Sequence, residues 1–209
     1  MSGVVDLTLL ATTFFTLFVI MDPLGTVPVF LGLTSRMTAA QRRRAARQAT
    51  AVAFGVILVF SLFGQYILSF LQISLPALQL SGGLLLLLVA MELLMGWGRQ
   101  PEPEDGAAPV NVALVPLGTP LLAGPGAIVA AMLAVQDADG EVPGWVAIAV
   151  ALVAVHLCLW LAMRFSVVIH RVLRDSGTTL VTRLAGLLLA AIAVQLMADA
   201  VFALVEQGP

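Results

Sequence analysis

Two long stretches of the chain lack any charged side chain, and this feature restricts the fold more than any other. Residues 48–91 and 106–136 contain no Asp, Glu, Lys or Arg. Charged residues make up 11% of the whole chain, whereas a soluble domain has about 25%. Because a helix crosses the hydrocarbon core of a bilayer with about 20 apolar residues, each stretch is long enough to span a membrane.

The spanning segments are predicted to be helices and not strands of a barrel. Strands of a membrane barrel alternate apolar and polar residues, but residues 84–88 are all leucine. Backbone amides in lipid are hydrogen-bonded either within one helix or around a closed barrel. We therefore predict an all-α integral membrane protein with six transmembrane helices, at 7–33, 49–71, 75–96, 110–135, 144–169 and 180–205.

The positions of the basic residues predict the orientation. All 10 are arginines, and with these six spans all of them lie on one side of the membrane. The positive-inside rule makes that side cytoplasmic, and Arg164, which lies within span 5, reaches it by extending its long side chain. We expect a multi-pass protein of the cell inner membrane with a cytoplasmic loop between spans 5 and 6. Both termini are then outside the cytoplasm.

A weak internal repeat divides the sequence into two halves. A shift of 103 residues aligns Gly83 and the leucines after it with Gly186 and its leucines, and Glu92 with Gln195. Each half holds three spans, so two homologous halves have to cross the membrane in opposite directions. We predict a single membrane domain, 1–209, composed of a first three-helix repeat at 1–97, a cytoplasmic linker at 98–109 and an inverted second repeat at 110–209.

Span 1 has helix-breaking residues in its interior. Residues 22–28 (DPLGTVP) include two prolines and a glycine, and proline removes an amide donor and clashes with the preceding turn. Asp22 followed by Pro23 is also a typical helix start, because the carboxylate caps the helix and proline fits its first position. The sequence predicts a discontinuous span with a second half-helix that begins near Pro23.

Span 4 has a similar interruption in residues 116–126 (PLGTPLLAGPG). Pro23 aligns either with Pro116, through the shared letters PLGT, or with Pro125 at a shift of 102 residues. The second alignment agrees better with the shift between spans 3 and 6, and we prefer it. It predicts that Gly124 and Pro125 begin a half-helix.

Two discontinuous spans at matching positions of inverted repeats are typical of the central site of a secondary transporter. The N-terminus of a half-helix attracts a carboxylate, and open carbonyl groups attract an ammonium group or a cation, so an amino acid zwitterion fits both. The alternative is that both interruptions are simple kinks, since Pro and Gly are frequent in membrane helices. The predicted substrate-binding residues are Asp22, Pro23, Gly25, Thr26, Pro28, Gly124, Pro125 and Gly126.

The strings FVIMDPLGTVPVFLGLT and PLGTPLLAGPGAI resemble the MarC family of bacterial membrane proteins, and the resemblance covers nearly the whole chain. It implies six spans and transport of small neutral amino acids such as glycine and alanine. The family's motif residues correspond here to Asp22, Pro23, Gly25 and Pro28, and to Gly124, Pro125 and Gly126. Gln79 stands where many relatives have arginine, so the role of that arginine does not carry over to this chain. Asp22 stands where many relatives have asparagine.

Other polar residues within the predicted spans suggest further roles. Asp22 is either a coupling site for a proton or a cation, or simply a helix cap. Glu92 and Gln195 are candidates for coupling or for the solute pathway; their alternatives are a position at the membrane interface and hydrogen bonding between helices. His156 is a candidate proton relay. The arginines at 42–44 either anchor the topology or attract anionic lipid headgroups.

The leading hypothesis is a secondary transporter of a small polar solute that works by alternating access around spans 1 and 4. The alternatives are an ion or metal carrier and a non-transporting membrane scaffold or regulator. The chain contains no GxxxxGK[ST], GxSxG or HExxH motif, so we expect neither an enzyme nor a cofactor or bound metal. The expected partners are the solute, with H+ or Na+, the lipid bilayer and a second copy of the chain, and no nucleic acid.

Overall fold

The fold is known from a computed structural model, which describes residues 5–95 and 122–207. The regular structure in these two ranges is helical and includes no strand, which confirms the predicted all-α class. The helices are α1 Leu7–Met21, α2 Thr26–Leu33, α3 Ala39–Leu71, α4 Leu75–Met95, α5 Pro125–Asp137, α6 Val142–Arg164 and α7 Ser166–Gln207.

By length and composition, the described part of the chain contains four candidate membrane spans, or five if the bent pair α1 and α2 is counted as one span. The helices α3, α4, α6 and the Ser176–Glu206 part of α7 are each long and apolar enough to cross a membrane. The pair α1 and α2, counted as one span, is bent by 44° at the break between them. Because α5 has only 13 residues and the predicted first part of span 4, 110–121, lies outside the described residues, the sixth span stays a prediction.

The helix α3 begins at Ala39, ten residues before the predicted start of span 2 at Ala49, and so extends beyond the predicted span. A capping box fixes this earlier start. The Thr38 hydroxyl accepts the Gln41 N–H at 3.3 Å, and the Gln41 side chain accepts the Thr38 N–H at 2.8 Å. The arginines at 42–44 and Arg47, which lie between predicted spans 1 and 2, are therefore on the first turns of a helix.

The prediction of a loop between spans 5 and 6 is wrong. The helix α6 ends at Arg164 and α7 begins at Ser166, so the chain between them consists of Phe165 alone. Residues 170–179, which we expected to be a loop, are helical and contain no proline. Their charged side chains indicate a polar environment, but polar residues outside the hydrocarbon core are compatible with a helix as well as with a loop.

The described helices pack in two hydrophobic clusters, and each cluster contains helices from both halves of the sequence. The larger one joins α1, α2, α3, α5 and α6. The smaller one joins α4 and α7, and side chains of α1 and α5 pack against it. The segments 1–97 and 110–209 therefore share their cores instead of forming one core each.

The helices α4 and α7 run antiparallel and approach closely at two glycines. A Cβ atom on Gly83 would lie 3.0 Å from the carbonyl oxygen of Ala193, and one on Gly186 would lie 3.2 Å from that of Ala90. Small residues permit such contacts where lipid provides no hydrophobic driving force between helices. The two contacts correspond under the shift of 103 residues, which aligns Gly83 with Gly186 and Ala90 with Ala193.

We predict that Gly83→Ala destabilises the protein while Gly55→Ala does not. The added methyl at Gly83 meets the backbone of α7, and overpacking of this kind costs about 1–3 kcal/mol. The matched control is Gly55 on α3, where an added Cβ atom would have no other atom within 4 Å. Thermal unfolding of both variants in the same detergent checks this, and equal melting temperatures would contradict the close approach of α4 and α7.

Candidate functional site

The break in the first span is formed by Asp22 and the turn that follows it. Asp22 has φ 38° and ψ 71°, a left-handed conformation, and its N–H donates to the Phe18 carbonyl, which closes the last turn of α1. A turn then leads to Thr26, the first residue of α2. The predicted discontinuity is confirmed, but the second half-helix starts at Thr26 and not near Pro23, because Asp22 ends α1 before the next helix can begin.

The Asp22 carboxylate is held against the turn by Gly25. Its Oδ1 atom accepts the Gly25 N–H at 3.0 Å, so the carboxylate caps the break as the sequence predicted. A Cβ atom on Gly25 would collide with the same carboxylate. Gly25 is therefore needed for the close approach of the side chain, since its own backbone is in the ordinary right-handed region.

The Thr26 side chain occupies carbonyl groups that we expected to be open. Its hydroxyl donates to the Asp22 carbonyl at 2.9 Å and lies 3.4 Å from the Met21 carbonyl oxygen. The Thr26 N–H also donates to the Asp22 carbonyl, at 3.0 Å. A carbonyl oxygen has two lone pairs, so the Asp22 carbonyl is saturated within the chain. The side-chain carboxylate is thus the anionic group at this break.

The second helix start lies at Gly124 and Pro125, where the sequence predicted it. Gly124 is the N-cap residue of α5, Pro125 occupies the first turn, and no side chain caps the helix. The positive end of the α5 dipole therefore has no side-chain partner in the described residues. Gly126 is buried against Leu86 of α4, where a Cβ atom would collide with the leucine side chain. The preceding residues of the predicted interruption, 116–121, lie outside the described part.

Helices α1, α5 and α6 meet at one end of the molecule. The Asp6 N–H donates to the Pro143 carbonyl at 3.3 Å, so α1 and α6 start side by side. The end of α5 joins them, because Asp6, Asp137, Asp139 and Glu141 line one small cleft. These four acidic residues therefore lie together at one end of the described helices.

The break at Asp22 and the start of α5 lie at similar depth. From the acidic end, the 15 residues of α1 extend about 22 Å and the 13 residues of α5 about 20 Å, at 1.5 Å per residue. The 23 residues of α6 extend about 34 Å on the same basis. Because α1 also packs on α5, both helix ends lie at a similar distance from the acidic end, roughly two-thirds of the length of α6.

The remaining predicted site residues fall into two groups. Pro23, Gly25 and Thr26 are buried at the break, whereas Asp22 and Pro28 are half-buried and Pro125 is exposed. The other group, Glu92 on α4 and Gln195 on α7, is exposed. The Gln195 amide donates to the Asp199 carboxylate at 2.7 Å. The structure gives this second group no contact with the break, and its pathway role stays a prediction.

Buried polar atoms in α1 and α6 are further candidates for contact with a solute. The Thr13 hydroxyl and His156 Nε2 are buried and have no hydrogen-bond partner among the described residues. His156 Nδ1 lies 2.7 Å from the Leu152 carbonyl oxygen, and its ring packs edge-on against Phe54. The sequence predicted a role for His156, as a proton relay, but none for Thr13. It offers no signal for Thr13, because a threonine in an apolar helix is equally typical of helix packing.

Gln79 is a second buried polar residue that we did not predict to be part of a site. Only 8% of its surface is exposed, and it lies one turn before the glycines of α4, on the same buried face as Gly82, Gly83 and Leu86. A polar side chain inside a membrane protein is usually retained for a partner or a cavity. Among the described residues, no group of three or more His, Cys, Asp or Glu is placed to hold a metal ion.

A bundle of apolar helices with one broken span defines the class of this chain, which is a polytopic α-helical membrane protein. Within that class it belongs to the MarC family of integral membrane proteins, whose sequence profile matches residues 7–205. The resemblance of the motifs at 22–28 and 124–126 is thereby confirmed at the level of the family.

Curated relatives match along almost the whole chain. A UPF0056 membrane protein of Methanocaldococcus jannaschii is 35% identical, with 94% of this chain and 97% of the relative covered. A UPF0056 membrane protein of Escherichia coli is 34% identical, with 87% and 86% covered. The UPF0056 inner membrane protein MarC of Salmonella typhimurium is 30% identical, with 88% and 90% covered. No solved structure matches the chain.

We predict that Asp22→Asn preserves the stability of the break and that Asp22→Ala does not. Asparagine keeps an oxygen for the Gly25 N–H and tolerates the left-handed conformation. Alanine loses the cap, at a cost of about 0.5–2 kcal/mol, and meets a left-handed backbone that costs about 1–2 kcal/mol more. Melting temperatures in detergent test the order of the two variants. An alanine variant as stable as the wild type would show that the carboxylate does not support the break.

Proposed function

We propose that this protein is a secondary transporter of a small polar solute, with small neutral amino acids such as glycine and alanine as its substrates. Transport occurs by alternating access around the broken first span and the start of α5. The observation that carries this proposal is the break at Asp22, at the same depth as a helix start that no side chain caps. A helix interrupted inside a membrane is typical of transporter binding sites.

The groups at the two helix ends suggest how a zwitterion binds. The N-terminus of α5 offers backbone amides and a partial positive charge to the substrate carboxylate. The Asp22 carboxylate is the counterpart for the substrate ammonium group, since the Asp22 carbonyl is already hydrogen-bonded to Thr26. The glycines at 25, 124 and 126 add no side chain to this region, which favours a small solute that contacts the backbone.

The same proposal includes six spans in two inverted repeats. Helix contacts occur in pairs that the repeat exchanges: α2 packs on α6 as α3 packs on α5, and α2 packs on α7 as α4 packs on α5. The reciprocal glycine contacts between α4 and α7 follow the same rule. A pseudo-two-fold axis in the membrane plane accounts for this pattern. With the arginine-rich end in the cytoplasm, both termini lie outside it.

The two hydrophobic clusters suggest which parts move. Each cluster combines helices of both repeats, so the repeats do not separate as rigid halves. We infer instead that the α4–α7 pair moves against the larger cluster. The contact between these bodies runs along α1 and α5, whose residues Val19, Ile20 and Leu133 pack against the smaller cluster. Because α1 ends at the proposed site and α5 begins there, the motion would open and close the site.

The location we propose is the inner membrane, which is where the name of the Salmonella relative places that protein. An ion carrier is the rival function, and the half-buried Asp22 carboxylate is the observation in its favour. Neither function involves covalent chemistry, and we propose no enzymatic activity.

Counterflow in proteoliposomes tests the proposal. We expect the purified protein to exchange labelled glycine and alanine, and Asp22→Asn to lower the rate by about tenfold or more, because a hydrogen bond to a charged group contributes about 1.5–3 kcal/mol. Asp199→Asn is the matched control, since it removes an exposed carboxylate from α7. If Asp22 also couples transport to H+, the asparagine variant loses the pH dependence of the wild-type rate.

Three results would contradict this proposal. Flux of cations without flux of amino acids would favour the ion carrier. A protein that moves no solute in either assay would be a scaffold or regulator. An Asp22→Asn variant with wild-type counterflow and unchanged pH dependence would exclude Asp22 from both binding and coupling.

A further inference from the structure

An open cleft of about 340 Å³ lies between the start of α3 and the end of α6. Residues on α3 that line it are three or four positions apart, so they share one face of the helix. The two lining residues of α6 are four positions apart and also share a face. We call this the arginine cleft, and its lining residues are Ala40, Arg43, Arg44, Arg47, Trp160 and Arg164.

The arginine cleft concentrates positive charge without neutralising it. Four of the residues that line the cleft are arginines, and none of its described lining residues is acidic. Like charges this close on a helix repel each other. The start of α3 adds the positive end of its dipole on the same side. A bound anion would relieve this repulsion.

The adjacent Arg42 makes contacts that differ from those of the arginines in the cleft. Its Nε atom donates to the Thr34 hydroxyl and its Nη2 atom to the Thr34 carbonyl, both at 3.1 Å. Arg42 thereby closes the C-terminal end of α2 and does not line the cleft. The arginines that follow it, Arg43 and Arg44, line the cleft instead.

The polar side chains that line the cleft are four arginines and Trp160. The Nε1 atom of Trp160 is buried and has no hydrogen-bond partner among the described residues. Indole and guanidinium groups donate hydrogen bonds and accept none, so the polar side chains of the cleft form a donor-only set. Such a set matches an oxyanion, and arginine pairs with phosphate through parallel N–H···O bonds.

We propose that the arginine cleft binds a phosphate group, supplied by the headgroup of an anionic phospholipid or by phosphate from solution. The position of the cleft favours the lipid. It lies at the last turn of α6, about 34 Å along that helix from the acidic end. The neighbouring Leu161 and Phe165 are 38% and 47% exposed and offer an apolar surface to acyl chains. Tryptophan and arginine at such a boundary are typical of contact with headgroups.

Calorimetric titration of short-chain phosphatidylglycerol into the protein in an uncharged detergent tests this site. We expect saturable binding to the wild type, and binding weaker by about tenfold or more in Arg43→Gln/Arg47→Gln, given the energy of charge-assisted hydrogen bonds. The matched control is Arg171→Gln/Arg183→Gln, which removes the same charge from exposed positions on α7.

A second titration, with inorganic phosphate, distinguishes the two sources. Binding of phosphate with the same dependence on the cleft variants identifies a soluble ligand, and binding of the lipid alone identifies a headgroup; either result supports the site. Equal losses in the two double variants would overturn it, because general surface charge would then explain the binding.

Discussion

A backbone inside a bilayer has no water to hydrogen-bond with, and the first span of this protein has to meet that constraint where it is interrupted. It does so with groups close in sequence. The Asp22 carboxylate accepts the Gly25 amide, and the Thr26 hydroxyl and amide both donate to the Asp22 carbonyl. These bonds pair the Gly25 and Thr26 amides and the Asp22 carbonyl locally, so the break leaves fewer backbone groups unpaired than a bare helix end would. The positions of the other residues of the candidate site depend on where α1 ends.

Close packing of small residues holds the described helices around that break. Glycines on α4 and α7 bring the two backbones together, and alanines of α3 face the larger cluster along several turns. Packing of this kind depends on shape, since lipid chains are as apolar as the helices. Because α4 of the first half packs on α7 of the second through these glycines, the two halves of the sequence interleave. A transporter built in this way would move groups of helices that cross the repeat boundary.

Features that depend on local chemistry were predictable from the sequence. Long apolar stretches predict membrane helices, and Asp-Pro and Gly-Pro predict the helix ends at Asp22 and Pro125, because proline limits the backbone wherever it occurs. Boundaries that depend on the edge of the membrane were not predictable. The early start of α3 and the uninterrupted beginning of α7 lie in polar segments, and a polar segment next to a membrane forms a helix or a loop with similar composition. The expectation of an open carbonyl was wrong for Asp22, because the Thr26 hydroxyl and amide both donate to it.

The sequence by itself determined that this is a helical membrane protein of the MarC type with an interrupted first span, because hydropathy and proline act through neighbouring residues. Only the tertiary structure decided which polar groups meet. It brought Trp160 and Arg164 of α6 to Arg43, Arg44 and Arg47 of α3, buried Gln79 and Thr13 while leaving Glu92 exposed, and combined helices of both halves in each core. These outcomes depend on contacts between residues distant in the chain, and the weak amphipathicity of membrane helices does not specify which face packs against which neighbour.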